Sequence, residues 1–358
     1  MSKNKDKNQE ESKRGAVGGQ AVIEGVMMKA KENIAIAVRK ENGEIVKKLK
    51  PYQSARDKHK ILNIPIIRGF VNFIEMMAMS MSTLNDSAEM LGLDEEFEEQ
   101  NKPSDEIKEI KEKDKSDSSK LTVIASIIGT ILGLALSFGL FFFLPTFIGN
   151  LIKTGIPKIA DMGWLISIVE GVLRLAIFII YILLVSLIKD IKRTFQYHGA
   201  EHMSVFCYEA EEELTIENVK KYSRFHPRCG TSFLIVMMII GVIISMFIPD
   251  FTKFDFSPTV AMWLRLLVKL SVFPLIIGVG YEFIKFAGKH DSIIVRIVSA
   301  PGLWIQRLTT KKPDDKQIEV AVVSLRTALK IDPVEIIEES IEEPVDIIEA
   351  EKVQENAE

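Results

Sequence analysis

Residues 164–188 read WLISIVEGVLRLAIFIIYILLVSLI, and only Glu170 and Arg174 in that stretch carry charge. A helix of this length exceeds the roughly 30 Å of hydrocarbon in a bilayer. Residues 121–148, 232–249 and about 262–284 have the same character. Hydrophobic residues make up 47% of the 358-residue chain, and they are gathered into these blocks instead of being spread at an amphipathic period. That distribution predicts a mainly α membrane protein with four transmembrane helices, the first two within residues 121–190 and the last two within 232–285.

Basic residues set the orientation, because cytoplasmic loops retain Lys and Arg. Lys108, Lys111, Lys113, Lys115 and Lys120 precede the first block, and Lys189, Lys192, Arg193, Lys220, Lys221, Arg224 and Arg228 follow the second. Lys285, Lys289, Arg296, Arg307, Lys311 and Lys312 follow the fourth, whereas the opposite connections hold only Lys153, Lys158 and Lys253. A multi-pass protein with both termini and the 191–231 loop in the cytoplasm is expected. Residues 1–14 are charged and lack an apolar stretch, so a disordered amino terminus without a cleavable signal peptide is expected. The net charge of −4 is local, since residues 331–358 carry eleven acids against one lysine and read as an acidic disordered tail. The lipid bilayer is the expected partner, nucleic acid is not, and no oligomeric state is implied.

Residues 15–60 read as a small cytoplasmic β unit. Val22-Ile23, Ile34–Val38 and Glu44–Leu49 are strand candidates, and Asn42-Gly43 signals a type I′ hairpin. Gly15, Gly18, Gly19 and Gly25 bracket the first strand; a phosphate-binding loop is the alternative, but no G-x-G-x-x-G or G-K-[ST] pattern accompanies them. Residues 61–93 are apolar but interrupted by Pro65, Arg68, Gly69, Asn72 and Glu75. They predict an interfacial or re-entrant helical segment, with a full crossing as the alternative. Residues 94–120 form a charged linker. Residues 286–330 predict a cytoplasmic membrane-surface segment, with Trp304 at headgroup depth, and then a helix over Asp314–Leu329.

Three of the five histidines and one of the two cysteines fall in the 191–231 loop, as His198, His202, His226 and Cys229. On a helix, His198 and His202 share one face and both imidazoles can reach one ion. Glu201 completes an H-x-x-E-H order, the inverted zinc-peptidase pattern in which the glutamate is the general base. His226 and Cys229 form a second ligand-like pair, and Glu209 falls on the His202 face if the second span continues as one helix into the cytosol. Cys229 is a candidate thiolate in a reducing compartment, and Cys207, beside Val205 and Phe206, reads as a buried small residue. Two arrangements are open. In one, three protein ligands hold Zn²⁺ or another divalent transition metal with Glu201 as base; in the other, His198, His202, His226 and Cys229 close a structural tetrahedron. Gly199 between the histidines costs about 1 kcal/mol of helix propensity, so the helix needs tertiary support.

Glu170 and Arg174 lie one turn apart within the second span and predict an ion pair, with Arg265 and Lys269 at similar depth on the fourth. The alternative is a polar path between these spans. Glu282, near the cytoplasmic end of the fourth span, is a candidate partner for Arg228.

Several motifs in order resemble one known group: Gly18-Gly19-Gln20-Ala21-Val22-Ile23-Glu24-Gly25-Val26-Met27-Met28, Pro65–Gly69, His198–His202, His226–Thr231 and Pro301-Gly302-Leu303-Trp304-Ile305-Gln306-Arg307-Leu308-Thr309-Thr310. Over about residues 15–330 the chain resembles the YqhQ family of bacterial membrane proteins, a domain of unknown function catalogued among predicted metal-dependent enzymes. The resemblance implies a bacterial cell-membrane location and adds Glu24 and Arg68 as site candidates, Glu24 as a carboxylate ligand and Arg68 as a holder of an anionic substrate. Plain roles, a turn residue and an interface anchor, stand beside these. The function expected is metal-dependent hydrolysis at the membrane surface. The alternative is a non-catalytic scaffold or accessory factor for another membrane complex, for example in protein export or membrane-protein assembly.

Overall fold

A computed structural model describes residues 17–93, 128–156, 158, 162–249, 251–254, 256–287 and 293–331. The expected amino-terminal segment 1–14, the linker at 94–120 and all but Ile331 of the acidic tail lie outside the described residues. The chain is mainly helical, with one four-stranded antiparallel sheet near its amino-terminal end. The strands, adjacent in chain order, are β1 (Gly18–Val22), β2 (Gly25–Lys29), β3 (Asn33–Arg39) and β4 (Ile45–Pro51). The longer helices are α1 (Ile67–Leu91), α2 (Ile128–Gly155), α3 (Gly163–Val185), α4 (Lys189–Glu209), α5 (Gly230–Ser245), α6 (Pro258–Ala287), α7 (Ile293–Thr309) and α8 (Asp315–Ala328).

Alternation along the strands sends side chains to two separate cores. Val26, Met28, Ala35 and Ala37 join a core completed by α4 and α8, and Met27, Ile34, Ile36 and Val38 join one completed by α1 through Met79, Met90 and Leu91. The sheet is therefore covered on both faces. Two details differ from the sequence reading. Residues 25–29 form a strand of their own, because Ile23-Glu24 makes the turn and Glu24 takes φ 49°. The β3–β4 connection runs from Lys40 to Glu44 and is not a two-residue type I′ turn, which needs positive φ at both central positions. Gly43 has φ 90° while Asn42 stays at negative φ and accepts the Glu44 N–H with its side chain at 3.0 Å.

Helix α1 ties this sheet to the apolar helices. Asp86 near its carboxyl end pairs with Lys48 and Lys50 of β4, each at 2.9 Å, and Thr83 accepts from Gln20 of β1 at 3.0 Å. Midway, buried Glu75 accepts from Ser54 Oγ at 2.9 Å, Ala55 N at 2.6 Å and Tyr52 Oη at 3.1 Å. At the amino end, Gly69 faces Gly278 of α6.

Among the described residues three helices, α2, α3 and α6, are long and apolar enough to cross a membrane. The third expected span is the 16-residue α5, which rises about 24 Å and is shorter than the other three. Helix α3 does not run on to the histidines as one rod: it stops at Val185, and Ile188 is extended before α4 begins. The expected Glu170–Arg174 pair is also replaced. Pro145 cannot donate to the carbonyl four residues back, at Phe141, and the turn before it, Gly139–Phe143, winds as a π-helix. Arg174 Nε donates to that Phe141 oxygen at 2.8 Å. Glu170 instead bonds Lys269, with Arg265 at 3.7 Å, both from α6. Glu282 pairs with Arg68, not Arg228.

A Cβ added at Gly69 would come within 2.7 Å of Tyr281 Cβ and 3.0 Å of the Gly278 Cα. Gly69→Ala should therefore destabilise the α1–α6 crossing by about 1–3 kcal/mol, the usual cost of overpacking. Thermal unfolding of the detergent-solubilised protein should show a lower midpoint for Gly69→Ala than for Gly18→Ala, where an added Cβ meets nothing within 4 Å.

Candidate metal centre

Helix α4 carries His198, Glu201 and His202 into the protein along a buried face that includes Tyr197, Ala200 and Val205. Its position explains Gly199. A Cβ there would overlap the Lys311 carbonyl oxygen, so the helix backbone and the chain after α7 touch where a side chain would have stood. Lys311 N donates to the Phe195 carbonyl at 2.8 Å and holds that contact. The support expected for a glycine inside this helix is thus a neighbouring backbone.

Three ligand atoms converge. One nitrogen each from His198 and His202 and the sulfur of Cys229 all lie within 4.8 Å of one another. Cys229 caps α5, and its Sγ is 3.3 Å from His198 Nε2 and 3.2 Å from Thr231 Oγ1. Both imidazoles are oriented by backbone carbonyls on their far sides: His198 Nδ1 is 2.9 Å from Thr309 O, and His202 Nδ1 is 2.5 Å from Arg224 O. A carbonyl oxygen only accepts, so each Nδ1 carries a proton, and in the neutral ring Nε2 is the nitrogen left with a lone pair. Metal-ligating histidines are held in this way, and the donor set of two imidazoles and a thiol suits a borderline cation such as Zn²⁺. His202 and Cys229 are buried, and His198 is partly open to solvent.

Glu201 stands beside this group, with its Oε2 3.4 Å from His202 Nε2. Burial pushes its carboxyl up to about 7, against the opposing pull of His198 and of a hydrogen bond from the Gly19 N–H. Gly19 is required here because a Cβ would lie 2.9 Å from Glu201 Cγ. The described part of the glycine-rich stretch thus forms an edge strand that receives a glutamate.

His226 stacks near His202 with ring centroids 5.5 Å apart, yet its nitrogens are directed elsewhere. Nδ1 accepts from Arg228 N at 3.3 Å, and Nε2 faces Glu209 Oε2 at 3.8 Å. Burial lowers its pKa and keeps the ring neutral. Glu209 also bonds Arg228. Of the remaining candidates, Glu24 bonds Arg193 and accepts from Tyr197 Oη at 3.2 Å, and Arg68 bonds Glu282 through two guanidinium nitrogens. Cys207 is fully buried with its thiol pushed up to about 11 by burial.

The family model described as a protein of unknown function, DUF1385, matches residues 64–331. The chain belongs to this family. It is also 33% identical over 318 residues to "Uncharacterized protein YqhQ" of Bacillus subtilis (strain 168), covering 88% of this chain and 93% of that protein. No solved structure matches. The DUF1385 match takes in every residue of the His/Cys group, and the β unit that supplies Gly19 and Glu24 lies before it.

The centre of this DUF1385 protein also uses Gln306 and Thr309 of the Pro301–Thr310 motif. Gln306 is fully buried on α7; its Oε1 accepts from His226 N at 2.7 Å, and its Nε2 donates to His226 O at 2.7 Å and to Ser232 Oγ at 2.9 Å. It fastens the His226–Cys229 turn to α7, while Thr309 three residues on orients His198. A polar residue amid the apolar positions of 293–309 was the available signal. Gln306→Leu strands buried amide groups at about 1–3 kcal/mol each. This variant should unfold at a clearly lower temperature than the parent, as read by thermal unfolding in detergent.

Proposed function

We propose that this protein crosses the bacterial cell membrane four times with both termini in the cytoplasm, and that its cytoplasmic face carries a metal-dependent hydrolytic centre. The carrying observation is the convergence of one nitrogen each from His198 and His202 with Cys229 Sγ, both imidazoles having an Nδ1 on a carbonyl acceptor. α5 would be the remaining crossing. Its Val242 occupies the space over Gly171 of α3, and its Met237 packs against Gly280 of α6, the close approach that small residues give membrane helices. The charge asymmetry of the connections supports the orientation. The anchoring of α1 to both the sheet and α6 supports an interfacial position for residues 61–93.

His198, His202 and Cys229 would hold Zn²⁺ or another divalent transition metal, with His226 held in reserve by Glu209 and Arg228. A divalent ion supplies Lewis acidity toward a carbonyl or phosphoryl oxygen. Glu201 would be the base. Its carboxyl, raised to about 7 by burial, lies where a proton can be taken up and returned near neutral pH, and an adjacent cation would pull that value down. The substrates that suit a centre at headgroup depth are a peptide bond or a phosphate or acyl ester presented at the membrane surface.

A second reading draws on the burial of His202 and Cys229, at 2% and 9% exposure, which suits a structural metal joining α4 to the amino end of α5 in a scaffold or accessory protein. Elemental analysis of the detergent-purified protein should find about one divalent transition metal per chain, lost in His198→Ala. No metal in the parent protein removes both readings. Glu201→Gln should retain the metal and the fold but abolish complementation of a deletion strain. Full complementation by Glu201→Gln would leave only the structural reading.

A further inference from the structure

A cavity of about 500 Å³ lies between α2, α3, α5 and α6, away from the His/Cys group. Its walls include Leu136, Phe142, Phe178, Met237 and Ile276, and along α5 they extend from Leu234 to Ser245, about 16 Å of helix. The volume falls in the roughly 300–1,000 Å³ range of small-molecule sites, and the length suits an extended chain, not a globular headgroup.

Two cations, Arg174 and Lys269, interrupt these apolar walls. Lys269 is satisfied by Glu170 and by Thr146 Oγ1 at 3.1 Å, and Glu170 also attracts Arg265. Two cations thus share one carboxylate, and Arg174 is a third cation nearby. Arg174 donates Nε to the Phe141 carbonyl, and among the described residues no carboxylate is in ion-pair contact with it. A guanidinium facing hydrocarbon is costly without a counter-anion, and its planar fork matches a carboxylate.

We propose that this cavity binds a long-chain carboxylic acid from the bilayer, its carboxylate on Arg174 and its alkyl chain along α5. The apolar walls select the chain, and the excess positive charge selects the acid. The site depends on these helices spanning a bilayer and not on the metal centre.

The test uses full-length protein in a non-ionic detergent with radiolabelled palmitate. Binding should be saturable, competed by unlabelled palmitate, and at least tenfold less sensitive to palmityl alcohol. Arg174→Gln should weaken binding at least tenfold. Gly133→Trp gives a second variant: an added Cβ at Gly133 meets nothing within 4 Å, so the indole can fill the cavity without displacing the backbone. It should abolish binding while its thermal midpoint stays near that of the parent. His198→Ala should bind palmitate normally, which separates this site from the metal centre. Absence of saturable binding, equal competition by the alcohol, equal competition by a diacyl anionic phospholipid, or unchanged affinity in Gly133→Trp would each overturn the assignment.

Discussion

Helix α4 can deliver its histidines to a buried position because neighbouring backbone comes against it where side chains are missing. At Gly199 the Lys311 carbonyl occupies the space of a Cβ, and at Gly19 the strand backbone gives way to the Glu201 side chain. These contacts fix the rotation of α4. Once that rotation is set, His198 meets the Thr309 carbonyl, His202 meets the Arg224 carbonyl, and His198 Nε2 comes to Cys229 Sγ. Cys229, the orienting carbonyls and the Gly19 N–H come from elements other than α4, so the centre is complete only once the sheet, α4, α5 and α7 have packed together. Dense packing makes such a centre unforgiving of small shifts.

The apolar helices follow a parallel logic. Pro145 deprives the Phe141 carbonyl of its helical donor, and Arg174 supplies one from the facing helix. Arg174 is thereby drawn away from Glu170, which takes Lys269 and Arg265 instead. A single proline on one helix thus goes with a different charge pairing on two others. The outcome is a carboxylate crowded by cations on one side and a guanidinium turned to an apolar cavity on the other.

The two regions are joined by α1 and α7. Gly69 lets α1 lie against α6 while Asp86 and Thr83 fasten its other end to the sheet. Gln306 of α7 binds the turn that presents Cys229, and Ile305 beside it packs with Phe178 and Ile235 of the apolar helices. The His/Cys group is therefore mechanically continuous with the helices that line the cavity. Interactions of this kind specify position more than they add stability, since each buried polar group first gives up its hydration.

Much of the architecture was determined by sequence alone, because hydrophobic blocks, strand alternation and helix caps act over short range. The apolar blocks, the β unit, the α8 helix, and the membership of His198, His202 and Cys229 in one cluster could all be read from the chain. Tertiary structure decided which partner each polar group found: Glu170 with Lys269 in place of Arg174, Glu282 with Arg68, Glu24 with Arg193, and His226 turned to Glu209. It also decided why Gly19 and Gly199 are glycine and what Gln306 holds. Periodicity along a chain reports which face of an element is apolar. Pairing of a buried charge depends on which backbones approach within a few ångströms, and that follows only from how the elements pack.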